Sequence, residues 1–140
     1  MPRHKSSRAA SVHYGQETRM AHLVLPSDTN HYGTLFGGTA LAWMDIAAAI
    51  AAIRTCRKEV VTASSERVDF DVPVKAGSLV EVISRVVEVG RSSLKVSVEL
   101  YVEDMFTGRR ERCTHGMFTM VAVDKKGKPI SARAGKRVVA

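Results

Sequence analysis

The chain has 140 residues, the length of one domain, with 45% hydrophobic and 25% charged residues. These are globular proportions and exclude a chain disordered throughout, and the longest apolar run reads as too short for a membrane helix. The net charge of +7 would suit a nucleic-acid binder, but it sits in two tails. Residues 1–16 carry Arg3, Lys5 and Arg8 without an acid, and residues 125–140 carry Lys125, Lys126, Lys128, Arg133, Lys136 and Arg137 without one, leaving a slightly acidic body. The aromatic content of 6% offers no stacking platform for bases. Nucleic acid is therefore not an expected partner, nor is stable membrane association.

In chain order, residues 1–16 read as a disordered basic tail: charge stands there without the apolar stretch of a secretory signal. A short strand is expected over 17–25, closed by Pro26, followed by a loop over 26–36. From Thr39 to Ile53 nearly every residue is apolar and Ala dominates, which predicts a helix buried on all sides. Strands follow. Val68, Phe70, Val72 and Val74 alternate with polar residues or Pro73, and Lys75–Ser78 reads as a turn. A Val-rich strand spans 79–89. Leu94, Val96, Val98, Leu100 and Val102 then alternate with polar positions at period two, and a last strand covers about 111–123. Short connections favour antiparallel neighbours, and a helix without a polar face must be enclosed. The expected class is α+β: one antiparallel sheet wrapped around a long central apolar helix, with free sheet edges that pair between protomers. The domain is expected over 17–130, with a basic tail over 131–140. Cys56 and Cys113 lack metal or redox spacing, so reduced thiols and a cytoplasmic location are expected.

Asp45 is the single ionisable residue between Thr39 and Ile53. At 100° per residue, Gly38, Ala42, Ala49 and Ala52 lie within about 60° of it, while Trp43, Ile46, Ile50 and Ile53 form a bulky stripe about 120° away. The stripe is expected against the sheet. Asp45 then stands on a small-residue face, either hydrogen-bonded for structure or acting as a general base or nucleophile. Just before the helix, Gly37 and Gly38 expose backbone N–H groups. A tight turn alone would explain them, as would a hold on phosphate or on the oxyanion of a tetrahedral intermediate.

Three blocks carry a resemblance: Asn30-His31-Tyr32-Gly33-Thr34-Leu35-Phe36-Gly37-Gly38 with Trp43-Met44-Asp45; Arg67-Val68-Asp69-Phe70 through Pro73-Val74-Lys75-Ala76-Gly77; and Val89-Gly90-Arg91-Ser92-Ser93. In this order, over about residues 17–130, the chain resembles the hotdog-fold acyl-CoA thioesterases, within them the subgroup of YciA and the brain acyl-CoA hydrolase. The resemblance implies a hotdog fold and dimers sharing one continuous sheet, often assembled as a hexamer, a trimer of dimers. It implies hydrolysis of acyl-CoA at the dimer interface, with coenzyme A as part of the substrate and no separate cofactor. It gives Asp45 as the catalytic carboxylate, and Asn30 of the other protomer as the group positioning water or thioester. Gly37 or Gly38 would be the backbone donor, and Arg91, Ser92 and Ser93 would line the coenzyme A path.

Other chemistries find little support. There is no Gly-x-Ser-x-Gly elbow and no nucleotide fingerprint. The histidines (His4, His13, His22, His31 and His115) show no paired ligand spacing, so no metal is expected. His115 alone keeps a hotdog dehydratase open, and a non-catalytic acyl-CoA sensor would keep the pocket without needing Asp45. Arg57, Lys58, Arg109, Arg110 and Arg112 read as solvated charge.

Overall fold

Residues 17–134 are described by a computed structural model; the basic segments 1–16 and 135–140 lie outside them. The elements run β1 (Thr18–Leu23), a 3-10 turn (Pro26–Asp28), α1 (Gly37–Cys56), β2 (Glu59–Phe70), β3 (Leu79–Val89), β4 (Ser93–Glu103) and β5 (Arg110–Val123). The five strands form one sheet in the order β1-β3-β4-β5-β2, and every neighbouring pair is antiparallel. This is the α+β, hotdog-type arrangement expected, with α1 laid across one face.

The alternation in β4 decides which face that is. Leu94, Val96, Val98 and Leu100 are fully buried against α1, together with Val80 and Val82 of β3 and Phe118, Met120 and Ala122 of β5. Ser84 of β3, also buried, donates its hydroxyl to the carbonyl of Ala47 at 2.7 Å and ties the sheet to the middle of the helix. The other sheet face carries charge instead: Arg110 bridges Glu81 and Glu103, and Arg112 pairs with Glu99. Glu17 holds Arg19 and Arg85. These arginines therefore do not join Arg57 and Lys58, which stand at the other end of the sheet.

Three expectations are corrected. First, α1 is longer than Thr39–Ile53. It spans 20 residues and is long and apolar enough, by length and composition, to cross a bilayer, yet one side of it is packed on the sheet. It stops where Arg57 adopts a left-handed conformation (φ 58°) and returns its N–H to Ile53 at 2.7 Å. Second, the bulky stripe does not face the sheet as a unit: Trp43 packs on the core and stacks on His22 of β1, and Ile50 is half-buried, but the stripe is not the buried face. The buried residues are Ala40, Met44, Ala47, Ala48, Ala51, Ala52 and Cys56, mostly small, because a curled sheet admits a helix closely where side chains are small. Ile46 (48% exposed) and Ile53 (40%) point away, so the helix is not enclosed on all sides by its own chain. Third, the strand expected to run through Val74 ends at Phe70. Pro73 has no N–H for a ladder, and residues 71–75 turn to meet the loop before α1. There Leu35 donates to the Val74 carbonyl at 2.7 Å, and Thr34 pairs with Lys75.

The C-terminal boundary also moves. Ser131–Arg133, assigned to the tail, lie on the domain: Ala132 is buried, its N–H bonds the Arg91 carbonyl at 2.7 Å, and Lys58 Nζ donates to the carbonyls of Ser131 (2.7 Å) and Arg133 (2.9 Å).

Candidate active site

Asp45 sits half-buried on α1, facing edge strand β2. Thr62 donates its hydroxyl to Asp45 Oδ1 at 2.6 Å, the short distance of a hydrogen bond to a carboxylate. Oδ2 has no partner among the described residues. Thr62 precedes the first of two register shifts in β2, between Thr62 and Ser64 and between Glu66 and Asp69. Sequence reasoning missed Thr62. A threonine in a polar strand carries no local signal, and only the packing of β2 over α1 reveals its partner.

The two glycines are not equivalent. A Cβ at Gly38 would lie 2.7 Å from the Phe36 ring, which fills that space; at Gly37 the nearest atom would be the Phe70 ring at 3.8 Å. The first N–H groups of a helix have no intrahelical acceptor; here the ladder begins with Ala40 N–H donating to Phe36 at 3.1 Å. Gly37 thus presents, at an open position, a donor that has no partner among the described residues. It also lines a cavity of about 280 Å³ between the start of α1, the end of β2 and the inner sheet face.

Asn30 organises the preceding loop. Its Oδ1 accepts from the N–H of Tyr32 (2.9 Å) and from the N–H and hydroxyl of Thr34 (both 3.2 Å). The side-chain NH2 is left without a partner among the described residues and is free to donate outward.

Distance along the helix separates these groups within one chain. Gly37 and Asp45 are eight residues apart, about 12 Å of axial rise, whereas acid–base chemistry needs contacts of about 3 Å. Asn30 belongs to the loop before α1, at the Gly37 end. Arg91, Ser92 and Ser93 lie at the opposite end of the sheet, in the β3–β4 hairpin tied to the segment after β5. The predicted residues therefore form three groups, and one chain does not bring them onto a single reacting atom.

The histidines divide as the strands alternate. His22 stacks on Trp43 with ring centroids 4.1 Å apart, and burial holds its pKa below the usual value against the opposing pull of Asp28. His31 packs on Tyr32 at the loop tip. His115 is exposed on the sheet face away from α1, opposite Glu99 and Asp69. It cannot share a substrate with Asp45 in the same chain, which removes the pairing a dehydratase would need there. Among the described residues, no group of three His, Cys, Asp or Glu side chains is placed to hold a metal ion.

Residues 32–107 match the model of the thioesterase superfamily. The chain belongs to the thioesterase superfamily. The uncharacterized acyl-CoA thioester hydrolase YkhA of Bacillus subtilis is 44% identical over 107 residues, covering 76% of this chain and 62% of that relative, so the match spans under two thirds of it. Acyl-CoA thioester hydrolase YciA of Escherichia coli is 37% identical over 76% of this chain and 83% of its own length. Among solved structures, an acyl-CoA hydrolase variant from Staphylococcus aureus in complex with coenzyme A superposes with TM-score 0.81 at 36% identity, covering 84% of this chain and 71% of that one. A hexameric broad-specificity acyl-coenzyme A thioesterase gives 0.79 at 34% identity, covering 84% and 86%. The Staphylococcus aureus enzyme has been solved with alanine replacing one asparagine, one aspartate and one threonine, separated by 15 and 17 positions. Asn30, Asp45 and Thr62 repeat these residue types at the same separations.

Proposed function

We propose that this thioesterase-superfamily protein hydrolyses acyl-coenzyme A. Water adds across the C–S bond, the acyl carbon taking hydroxyl and the sulfur a proton, to give a free carboxylic acid and coenzyme A. The observation that carries this reading is the Asp45 carboxylate, held by Thr62 through one oxygen, the other having no partner among the described residues. Asp45 either attacks the thioester carbonyl or activates the water that does. The Gly37 or Gly38 N–H receives the charge developing on the carbonyl oxygen, and the Asn30 amide positions water or thioester.

The site is shared between two protomers, with Asp45 from one chain and Asn30 and Gly37 from its partner. Two features support this: the 12 Å offset along α1, and β2, a sheet edge exposed over most of its length. Bare edges of this kind pair with another chain. A homodimer joined at this edge, and a hexamer as a trimer of dimers, would also cover the outward Ile46 and Ile53. Arg91, Ser92 and Ser93 of a neighbouring protomer would lie along the coenzyme A phosphates and pantetheine, Arg91 suiting phosphate geometry. The buried, unpaired Cys56 and Cys113 support a reducing compartment such as the cytoplasm.

The test is thiol release from acyl-CoAs, read with a thiol reagent against a protein whose own described thiols are buried. Asp45→Asn should lower kcat by about 10²–10⁴-fold; equal rates would overturn the assignment. Mixing inactive Asp45→Asn and Asn30→Ala chains and reassociating them should restore about one quarter of the wild-type activity if each site draws on two chains. No recovery would place both groups in one chain.

A further inference from the structure

The cavity beside Gly37 is closed at its inner end. Leu100 and Thr114, both buried on the inner sheet face, form its floor; Ala40 forms the helix wall; Val72 and the Phe70 ring stand at the loop side. The lining is mainly apolar, from Leu35, Ala40, Phe70, Val72, Val74 and Leu100, with a polar minority that Thr34, Thr114 and backbone such as Gly37 can supply. Its outer wall is fixed, because the loop before α1 is pinned to residues 74–76 through Leu35 to Val74 (2.7 Å) and Ala76 to Gly33 (3.2 Å). Apolar walls, a blind end and a free backbone donor at the mouth suit a ligand with a polar carbonyl and a hydrocarbon tail.

We propose that this cavity measures the acyl chain: a thioester whose carbonyl meets the Gly37 N–H threads its tail between Phe70 and α1 toward Leu100 and Thr114. This rests on the acyl-CoA hydrolase reading above and adds to it a length. A methylene takes about the 30 Å³ of a water molecule, so the roughly 280 Å³ available fills with an acyl chain of about eight carbons. Each methylene buried up to that point improves binding about fourfold. Those beyond it remain outside and add nothing. The protein is thus tuned to short and medium acyl chains, and longer ones are turned over without further gain.

Two measurements test this on the full chain. Thiol release from acetyl- through hexadecanoyl-CoA should show kcat/KM climbing about fourfold per methylene and levelling near octanoyl. Binding of S-alkyl-CoA thioethers, which cannot be hydrolysed, should follow the same curve by calorimetry. Val72→Phe, at a half-buried loop position where folding is little taxed, brings about four more carbon-sized groups into the cavity. It should lower the octanoyl-to-butyryl ratio of kcat/KM, and the octyl-to-butyl binding ratio, at least tenfold. Thr114→Ala deepens the floor and should carry the plateau to longer chains. A slope persisting through dodecanoyl, no slope at all, or ratios unmoved by Val72→Phe would overturn the proposal. Thioether binding that levels near octyl with no thiol release from any acyl-CoA would overturn the hydrolase reading and leave the cavity assignment standing.

Discussion

Replacing Gly116 by alanine probes how β2 is seated. Gly116 lies on the inner side of β5 opposite Val98, and the β2 bulge between Glu66 and Asp69 folds Val68 over it. A Cβ on Gly116 would stand 2.8 Å from Val68 Cγ2, closer than real Cβ contacts come, and 3.6 Å from the Glu66 carbonyl. Either the Val68 methyl turns or the strand lifts. Overpacking of this kind costs about 1–3 kcal/mol, and removing a strand glycine returns about 0.5–1 kcal/mol. A net loss of about 1–2 kcal/mol is expected, a fall in Tm of roughly 4–8 °C for a domain of this size. Urea and thermal unfolding measure it. The diagnostic comparison is Gly116→Ala in a Val68→Ala background, where the clashing methyl is gone and the new alanine should become neutral or stabilising. A coupling of about 1–2 kcal/mol is therefore expected between the two positions. Equal costs in both backgrounds would refute the packing argument.

Thr62→Val removes the hydroxyl that orients Asp45. A hydrogen bond to a charged group is worth about 1.5–3 kcal/mol when buried and less in this exposed setting, so kcat should fall about tenfold with KM little changed, and Thr62→Ser should restore it. The native pKa of His22 lies below its ordinary value of 6.5 because of burial. The unfolded chain therefore binds the proton first, so stability present above about pH 6.5 is lost as pH falls toward the native value. His22→Phe keeps the ring on Trp43 and should flatten that part of the urea-midpoint curve between pH 5 and 7; parallel curves would contradict it. Lys58→Met deletes both bonds to Ser131 and Arg133, at a cost of about 1–2 kcal/mol. Limited proteolysis after residue 130 should accelerate.

Much of the fold was legible in particular residues. The period-two run from Leu94 to Val102 became the central strand β4, and the Ala-rich stretch became the lone helix. Side-chain size is a poor guide to which face of α1 is buried, because the curled sheet sets the distance of approach and selects alanine, leaving Ile46 and Ile53 outward. The end of β2 is hidden because Val72 and Val74 continue the alternation after the ladder stops at Phe70, and Pro73 is the one local signal of it. For the candidate site, Asp45 stood out as the helix's isolated charge and Gly37 as a helix start. Thr62 and the cavity beside Gly37 were invisible because they arise from segments far apart in sequence.

The alanines on the inner side of α1 also shape how this protein can change. Ala40, Ala47, Ala48, Ala51 and Ala52 hold almost no side-chain volume to give up, so truncation there opens no appreciable void, while every enlargement pushes the helix off the strands. A scan of substitutions would find these positions intolerant in one direction only. Variation in core volume is then left to Leu94, Val96, Val98 and Leu100 across the contact. Drift in this family member should be written in the sheet, with the helix kept nearly constant as the template against which it is cut.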